Sequence, residues 1–537
     1  MLLRFCIIRS GARLGTTGNE RQSDQMSSRA YPGIQAANTG CEYRRPVSPD
    51  LRSWAIVTAD LRGLMRDMLK SSDEQSEAVP LARQSNTRHA VACTHHRHSS
   101  RGQIAAFIAR RFRGRGSLAL ADQIMISASN FAAGIILVRG LGLADFGKYS
   151  IAYVLLLYAN SLQMSFVASP MLSLAPLMAE EQRRHFVDGM LAIQLLASAA
   201  LLIVFALVGG IARIFTPFFP LPVVFAFACC VGTFQLQDWL RRYYFLYNKA
   251  RLAIVSDFIS YPVQLLILLI MWRAHQLNLF RTFIVMCATS VAAVAIGPIT
   301  DRLRPEMGRI KKTWAHCKAL SGGLVLSNQV RWLGSQGVFL IGTGILGTTT
   351  AGGLRASQYF AGPLYLFLLS SENVIPIRIA EELRRNGPDG AHAFTMRIIA
   401  IAAAAAVGII APIAFFGRPI LAFVYGPAVA VFYLPMVLTL VCTVLQGTTT
   451  MWFHLYRGMS DSRAIVMATV INAIGSVATI YWFGHLWHAT GIVLATMLGQ
   501  LVTFAYCMLH WRASREKFLL HQEFSKSPGN NGAVVIP

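Results

Sequence analysis

Long apolar runs follow one another along most of the chain, and a short glycine-rich turn separates the first two. Residues 118–139 and 149–178 are each long enough to cross the apolar core of a bilayer, which is about 30 Å thick and takes roughly 20 helical residues. The turn between them, residues 139–148, holds three glycines and three charged residues. The pattern predicts a transmembrane hairpin.

Similar runs recur, so that twelve spans are predicted in all. The loops between them alternate in charge, with 22 Lys and Arg residues in the loops and tail on one side and 6 on the other. Basic residues are retained on the cytoplasmic side of a bacterial inner membrane, so both termini are expected there. The predicted spans are 118–139, 149–178, 189–209, 218–237, 252–272, 280–300, 319–345, 352–378, 393–416, 428–455, 463–484 and 488–510.

The polar residues of the first span gather on one face of its helix. Lipid cannot solvate a carboxylate or a carboxamide, so this face is expected to point toward protein or a water-filled space. Asp122 has a second interpretation, because near the cytoplasmic end it could instead cap its own helix or reach the membrane surface. At about 100° per residue, the residues on this face are Asp122, Gln123, Ser127, Ser129, Asn130 and Gly134.

The polar face of the first span and the glycine turn after it return about 206 positions later. Many transporters are built from such internal repeats, with the substrate site between the repeats. The spacing therefore predicts two related halves. The matched pairs are Asp122 and Asn328, Gln123 and Gln329, Ser129 and Ser335, Asn130 and Gln336, Gly142 and Gly347, and Gly147 and Gly352.

The composition agrees with a membrane protein. Apolar residues make up 54% of the chain, and the mean hydropathy is +0.47. The net charge of +24 could suggest nucleic-acid binding, but positive-inside topology explains the placement of the basic residues better, and no nucleic-acid partner is expected. The nine cysteines form no CxxC pair, and the histidines of residues 89–98 lack zinc spacing, so neither a disulfide nor a metal site is predicted.

The chain is expected to divide into five parts. Residues 1–116 are basic and lack a sustained hydrophobic period, so they are predicted to be a disordered extension, or one added by a misassigned start codon. A first six-helix bundle follows at 117–300 and a basic cytoplasmic linker at 301–318. A second six-helix bundle spans 319–511, and residues 512–537 form a cytoplasmic tail.

Motifs of enzymes are incomplete in this sequence. Residues 142–149 nearly match a phosphate-binding loop, but Tyr149 stands where the loop needs a magnesium-binding serine or threonine, and no strand precedes it. Neither HExxH nor GxSxG occurs. We therefore predict that the protein is not an enzyme and has no catalytic residues and no bound cofactor.

Charged residues inside the spans are the main candidates for a functional site, since a cation at mid-membrane costs about 2.5–3.5 kcal/mol. Arg331, in the middle of the seventh span, either forms an internal ion pair, with Asp122 as one candidate, or binds an anion in a cavity. Arg355 lies one turn from the outer end of the eighth span, and snorkelling to the surface is the preferred interpretation. Glu372 could pair with Arg331 or Arg378, or carry a proton.

Several segments resemble a known family, the polysaccharide-export proteins of the O-antigen flippase type. These belong to the multidrug/oligosaccharidyl-lipid/polysaccharide (MOP) superfamily. The resemblance covers about 118–512 and is strongest in the first hairpin. The segments that carry it are Leu120 to Ile124, Ser129 to Phe131, Arg139 to Tyr149, Asn160 to Gln163 and Ser169 to Met171.

The resemblance implies an all-α integral membrane protein with two six-helix bundles around a central cavity, which opens alternately to each side. The implied substrate is a polyprenyl-diphosphate-linked oligosaccharide, carried to the periplasmic leaflet for O-antigen, capsule or exopolysaccharide synthesis. Membrane lipids, a polysaccharide polymerase and glycosyltransferases are the other implied partners, and a monomer is expected. Coupling to H⁺ or Na⁺, or use of the membrane potential alone, stays open.

In this interpretation polar residues of the cavity bind the substrate, and Arg331 holds its diphosphate. Two acidic residues couple transport to an ion or gate the cavity. The alternative is a cation-coupled multidrug exporter of the same superfamily, which needs acidic cavity residues. A membrane glycosyltransferase or ligase is less favoured because the outer loops are short. The hypothesised binding set is Arg331, Arg355, Asn328, Gln329, Gln336, Gln123 and Asn130, and the coupling set is Asp122 and Glu372.

Overall fold

The computed structural model describes residues 115–526, apart from 216–217, 301–302, 363 and 366–374. The described residues are almost entirely helical and contain no strand. Glu372 lies outside the described residues, and so do residues 1–114 of the predicted N-terminal extension. The α-helices are α1 (Arg115–Gln163), α2 (Ser169–Leu174), α3 (Glu180–Phe215), α4 (Leu221–Leu246), α5 (Ala250–Phe258), α6 (Gln264–Arg273), α7 (Leu279–Thr300), α8 (Ile310–Trp332), α9 (Val338–Leu346), α10 (Thr348–Tyr359), α11 (Ile375–Tyr425), α12 (Tyr433–Gly458) and α13 (Ser462–Lys526).

The helices follow the order of the predicted spans. Eight helical segments among the described residues are long and apolar enough to cross a membrane. Two of them, Ala121–Leu177 and Ser462–Leu520, each contain two spans, because the backbone leaves the helical region at Gly142 in the first and at Trp487 and His488 in the second. The seventh span consists of α8, which is more polar than the other long helices, and the apolar α9, and α10 begins the eighth span.

Three spans contain a five-residue π-helical turn, which is wider than an α-helical turn and takes in an extra residue. These turns are Met164–Ala168 between α1 and α2, Ile259–Val263 between α5 and α6, and Leu333–Gly337 between α8 and α9. Pro262 explains the second one, because proline has no N–H to donate to the helix. The other two lie in the second and seventh spans, which contact each other across the two halves.

Two predicted boundaries differ from the observed helices. The predicted linker, residues 301–318, is helical from Ile310 onward. Its first turns form a helix because they are amphipathic, with lysines exposed and Cys317 buried against α3. The predicted tail, residues 512–537, is helical as far as Lys526.

The predicted repeat is visible in the backbone of the two halves. Gly142 has φ 76° and ψ 166°, and Gly347, which lies 205 positions later, has φ 88° and ψ 176°. Both values of φ are positive, a region that glycine enters without steric cost. The same backbone break therefore ends the first span of each half.

The two halves also contact each other through a reciprocal pair of glycines. A Cβ added at Gly147 would overlap the carbonyl oxygen of Thr348, and one added at Gly352 would overlap the carbonyl oxygen of Leu143. Leu143 and Thr348 are related by the same shift of 205 positions as the two glycines. The hairpins thus meet as two copies of one surface would around a two-fold axis.

Large aromatic side chains pack in the interior of both halves, and apolar side chains also cover the outside. In the first half, Phe146, Phe227 and Phe283 are buried where α1, α4 and α7 pack together. In the second half, Trp452 and Tyr456 are buried between α12 and its neighbours. Leucine, isoleucine and phenylalanine side chains are exposed along α3 and α11, as expected of helices that face lipid.

We expect Gly147→Ala to destabilise the protein, because the added methyl group would overlap the backbone oxygen of Thr348, which cannot rotate away as a side chain can. Overpacking of this kind costs about 1–3 kcal/mol. Gly210→Ala is the control, since a Cβ there meets nothing within 4 Å and Ala is favoured over Gly in a helix by roughly 0.5–1 kcal/mol. The melting temperatures of the two variants in detergent should shift in opposite directions, and an unchanged value for Gly147→Ala would contradict the predicted overlap.

Candidate functional site

A central cavity of about 1000 Å³ lies between the two halves of the helical bundle. The first half contributes the polar face of α1, and the second contributes α8 to α10, α12 and the last span of α13. Its wall is mostly amide, hydroxyl and aromatic groups. The polar and aromatic residues that line it include Gln123, Asn130, Arg331, Ser335, Gln336, Phe339, Arg355, Gln358, Tyr359, Thr439, Thr443, Gln446, Thr496 and Gln500.

Five of the residues hypothesised to bind substrate line this cavity, namely Gln123, Asn130, Arg331, Gln336 and Arg355. Their side chains come from three spans, the first, the seventh and the eighth, so the fold brings together residues that are far apart in the sequence. Gln123 and Asn130 share the predicted polar face of α1. The repeat partner of Asn130, Gln336, also lines the cavity.

Two of the hypothesised residues are not among those that line the cavity. Asn328 donates from its amide nitrogen to the Ser165 hydroxyl at 2.7 Å, and Gln329 donates to the Ser161 hydroxyl at 3.4 Å. Both bonds run from α8, in the second half, to the second span of the first half. These two amides therefore join the halves beside the cavity.

Arg331 lies in the cavity wall with its side chain exposed. Its guanidinium donates to the Asn328 side-chain oxygen at 3.1 Å, and among the described residues no carboxylate forms an ion pair with it. The proposed pairing of Arg331 with Asp122 is wrong, because Asp122 is bound to Arg241 instead. Asp122 also does not cap its own helix or reach a surface, since its side chain is fully buried.

Arg355 is held inside the bundle by aromatic rings. Its guanidinium carbon lies 5.1 Å from the ring centre of Tyr153 and 5.7 Å from that of Tyr359, within the range of cation–π attraction. One Nη donates to the Gln358 side-chain oxygen at 3.0 Å, and the buried Nε has no hydrogen-bond partner among the described residues. The expected snorkelling of Arg355 to the membrane surface is therefore not observed.

The cavity has a distinct charge as a result. Arg331 and Arg355 are the charged residues among its described lining, and that lining includes no carboxylate. Neither arginine forms an ion pair with a described residue, so both guanidinium groups are available to an anion. An arginine can bind a phosphate or a carboxylate through two parallel N–H donors.

No protein-family model matches the sequence, and no curated protein is significantly similar to it. Several solved structures are similar in fold. The lipid II flippase MurJ, in an inward closed conformation, has a TM-score of 0.60 and 12% identity over 76% of this chain and 90% of MurJ. An inward-facing multidrug resistance MATE family transporter of the MOP superfamily has a TM-score of 0.61 and 11% identity over 75% of this chain and 99% of the transporter.

A MOP superfamily transporter from Pyrococcus furiosus is also similar, with a TM-score of 0.51 and 11% identity over 75% of this chain and 96% of that one. The chain has the MOP fold. The prediction of an all-α membrane protein with two six-helix bundles around a central cavity is thereby confirmed. At this level of identity the similarity concerns the fold alone.

A second cavity of about 290 Å³ lies inside the first half of this MOP fold. It adjoins the central cavity, because Asn130, Arg355, Tyr359 and Tyr365 line both. Arg355 is also the charged residue of its described lining. The remaining residues that line it are Ala133, Gly134, Tyr149, Tyr153, Phe234, Gln237, Ser260, Tyr261, Gln264, Met286 and Ser290.

A buried charge cluster connects three spans of the same half. Arg241 of α4 contacts the Asp122 carboxylate at 2.6 Å and the Asp257 carboxylate of α5 at 2.6 Å. Both carboxylate side chains are fully buried, and one oxygen of each has no hydrogen-bond partner among the described residues. Bonds of this kind between charged groups in a low-dielectric interior fix the relative positions of their helices.

Sequence reasoning missed Arg241 and Asp257, and it did not single out Thr496 and Gln500 of the last span. Arg241 was counted as one of several loop cations on the cytoplasmic side. The sequence does contain a usable signal, since Asp257 is the one charged residue within the predicted span 252–272 and requires a buried partner. Thr496 and Gln500 lie four positions apart and so share a helix face.

We expect Arg241→Gln to lower the stability of the purified protein strongly, because it leaves two buried carboxylates without a counter-charge. Breaking a buried pair in this way costs about 3–5 kcal/mol. Arg242→Gln is the matched control, since Arg242 pairs with Asp238 one turn away on its own helix, a type of pair that contributes roughly 0.3–0.5 kcal/mol. Adding Asp122→Asn and Asp257→Asn to Arg241→Gln should restore much of the melting temperature, and a triple variant no more stable than Arg241→Gln would contradict this account.

Proposed function

We propose that the protein is a flippase that moves a polyprenyl-diphosphate-linked oligosaccharide from the cytoplasmic to the periplasmic leaflet by alternating access. The observation that carries this proposal is the charge of the central cavity. Its described lining has two arginines, no carboxylate and many neutral polar groups. Such a wall suits a cargo that is anionic at one point and polar elsewhere.

The diphosphate, the sugars and the polyprenyl chain of such a cargo would each find a suitable environment in or beside the cavity. A diphosphate bears about two negative charges, which Arg331 and Arg355 would balance while their N–H groups donate to its oxygens. The amide and hydroxyl groups of the cavity would replace water around the sugar hydroxyls. The polyprenyl chain is as apolar as the lipid and would remain in the bilayer.

The direction of transport has a physical driving force. Moving one charge through a potential of 100 mV is worth roughly 2.3 kcal/mol. A diphosphate that moves outward across an inside-negative membrane would therefore gain about 4–5 kcal/mol per 100 mV. Transport could proceed on the membrane potential without ATP. Coupling to H⁺ or Na⁺ is the alternative driving force. The candidate acidic residues for such coupling are Asp122, which belongs to the buried charge cluster, and Glu372.

A cation-coupled multidrug exporter is the second candidate, because the MATE transporter shares the fold as well as MurJ does. Such an exporter would need to attract lipophilic cations into its cavity. Two unpaired guanidinium groups and no carboxylate in the described lining oppose this attraction. The charge of the cavity therefore favours the flippase over the exporter.

The proposed function implies a location in the cell and a set of partner enzymes. We place the protein in a bacterial inner membrane with both termini in the cytoplasm, acting as a monomer and as a transporter, with no catalytic step of its own. Glycosyltransferases would supply the cargo on the cytoplasmic side, and a polysaccharide polymerase would consume it on the periplasmic side. The basic face of α8, with Lys311 and Lys312 exposed, would lie against anionic headgroups.

We expect Arg331→Gln and Arg355→Gln each to reduce transport about tenfold or more, since a hydrogen bond to a charged group contributes roughly 1.5–3 kcal/mol. Arg378→Gln is the control, because Arg378 is exposed and pairs with Glu381 outside the cavity lining. The measurement is the rate at which a fluorescent polyprenyl-diphosphate chitobiose becomes accessible to an external quencher in proteoliposomes with an imposed potential.

Two results would contradict the flippase proposal. One is an unchanged transport rate in the double variant Arg331→Gln/Arg355→Gln. The other is export of ethidium by the wild-type protein in the same proteoliposomes, at a rate that the two substitutions raise. The second result would support the multidrug exporter, since removal of positive charge should help a cation to enter.

A further inference from the structure

The second cavity differs from the central one in lying mostly within the first half of the bundle. Spans one, two, four, five and six of that half surround it, and the eighth span, from the second half, closes the side where it meets the central cavity. Four residues line both spaces, and Arg355 is the charged one. A group bound to Arg355 from the central cavity would therefore lie at the entrance of the second.

Several polar groups of the second cavity have no partner within the described protein. Ser290 donates to the side-chain oxygen of Gln237 at 3.0 Å. The Thr289 hydroxyl lies 3.5 Å from the side-chain oxygen of Gln264, but it lies closer to the Val285 carbonyl oxygen, at 3.0 Å. No partner for the NH₂ group of either glutamine is found among the described residues. The buried Ser260 hydroxyl has no hydrogen-bond partner there either. Polar groups inside a bilayer need partners, which indicates a polar occupant.

The same cavity has a wall of aromatic rings. Tyr149 and Tyr153 stack with ring centres 5.9 Å apart and planes 25° from parallel, and Tyr359 lies at the entrance. Aromatic faces are apolar in the middle and carry polar groups at the edge of tyrosine. A pyranose ring matches this combination, because it has C–H faces for the rings and hydroxyl groups that both donate and accept.

The charge of the lining restricts the occupant further. Arg355 is positive, and no carboxylate belongs to the described lining of the second cavity. A cationic drug is disfavoured, and so is a purely apolar group, because it would leave the amides and Ser260 unpaired. A neutral polar group attached to an anion would match both the positive charge of Arg355 and the unpaired polar groups of the cavity.

We infer that the second cavity is the binding site of the first sugar of the cargo, the one attached to the diphosphate. The inference rests on the proposed function, since it takes the anion at Arg355 to be that diphosphate. The glutamine NH₂ groups and Ser260 would bind the sugar hydroxyls, and the tyrosines would pack against its ring. The cavity would then select which sugar may begin the transported oligosaccharide, whereas the larger central cavity would accept the remainder.

The test compares binding of four probes to the full-length protein in nanodiscs. These are farnesyl diphosphate and farnesyl diphosphate carrying glucose, galactose or N-acetylglucosamine. In the wild-type protein at least one sugar-bearing probe should bind roughly tenfold more tightly than farnesyl diphosphate, the effect of one or two hydrogen bonds. In Ser260→Ala/Gln264→Met this advantage should fall to about one, with the dissociation constant of farnesyl diphosphate unchanged.

A second variant and a control distinguish loss of the sugar site from misfolding of the protein. Ala133→Leu fills the same cavity with an apolar side chain and should also abolish the sugar advantage. Thr443→Val/Gln446→Met removes comparable polar groups from the central cavity only and should leave the advantage of a single sugar intact. Variants are compared only if their melting temperatures show that they are folded.

The outcomes separate this inference from the proposed function. If no sugar-bearing probe binds more tightly than farnesyl diphosphate, or if the advantage survives both cavity variants, the sugar site is overturned. Farnesyl diphosphate binding that depends on Arg331 and Arg355 would still support the flippase in that case. If farnesyl diphosphate does not bind the wild-type protein, the proposed function fails and the sugar site fails with it.

Discussion

A charge inside a bilayer has to be neutralised or solvated by the protein itself, and this constraint distinguishes two groups of charged residues in the described spans. In the first group, Arg241 is bound by Asp122 and Asp257, and the three residues connect three helices of one half. In the second group, Arg331 and Arg355 have neutral partners only among the described residues and lie in the wall of a cavity. The first arrangement stabilises a bundle, and the second presents positive charge to an open cavity.

The two halves of the chain have diverged at positions that the repeat relates. Asp122 forms its ion pair inside its own half, whereas its counterpart Asn328 reaches across to Ser165 of the other half. Asn130 and Gln336 occupy equivalent positions in the two halves, since both line the central cavity. The backbone retained the symmetry while the side chains lost it. The wall of the central cavity is therefore asymmetric, with different residues contributed by the two halves.

The spans, the hairpin and the repeat were predictable because hydrophobic length and residue spacing are local properties of the sequence. Much of the cavity was predictable for the same reason, since the polar face of α1 follows a regular helix. Gln329 and Gln336 were both expected to bind substrate, but Gln336 lies within the π-helical turn Leu333–Gly337, whose extra residue changes its direction relative to Gln329. Of the two, Gln336 lines the cavity. Arg241 and Arg242 are neighbours of identical type, and only tertiary packing decides that the first enters the interior while the second pairs with Asp238.

The matching backbone breaks at Gly142 and Gly347 bear on how such a chain arose. A unit of six spans returns to the side of the membrane from which it started, so two copies can be fused end to end with both keeping their orientation. The reciprocal contact of Gly147 and Gly352 is then what a pair of separate, identical subunits would make around an axis normal to the membrane. Gene duplication followed by fusion accounts for both features, and joining the subunits is what freed each one to acquire its own chemistry.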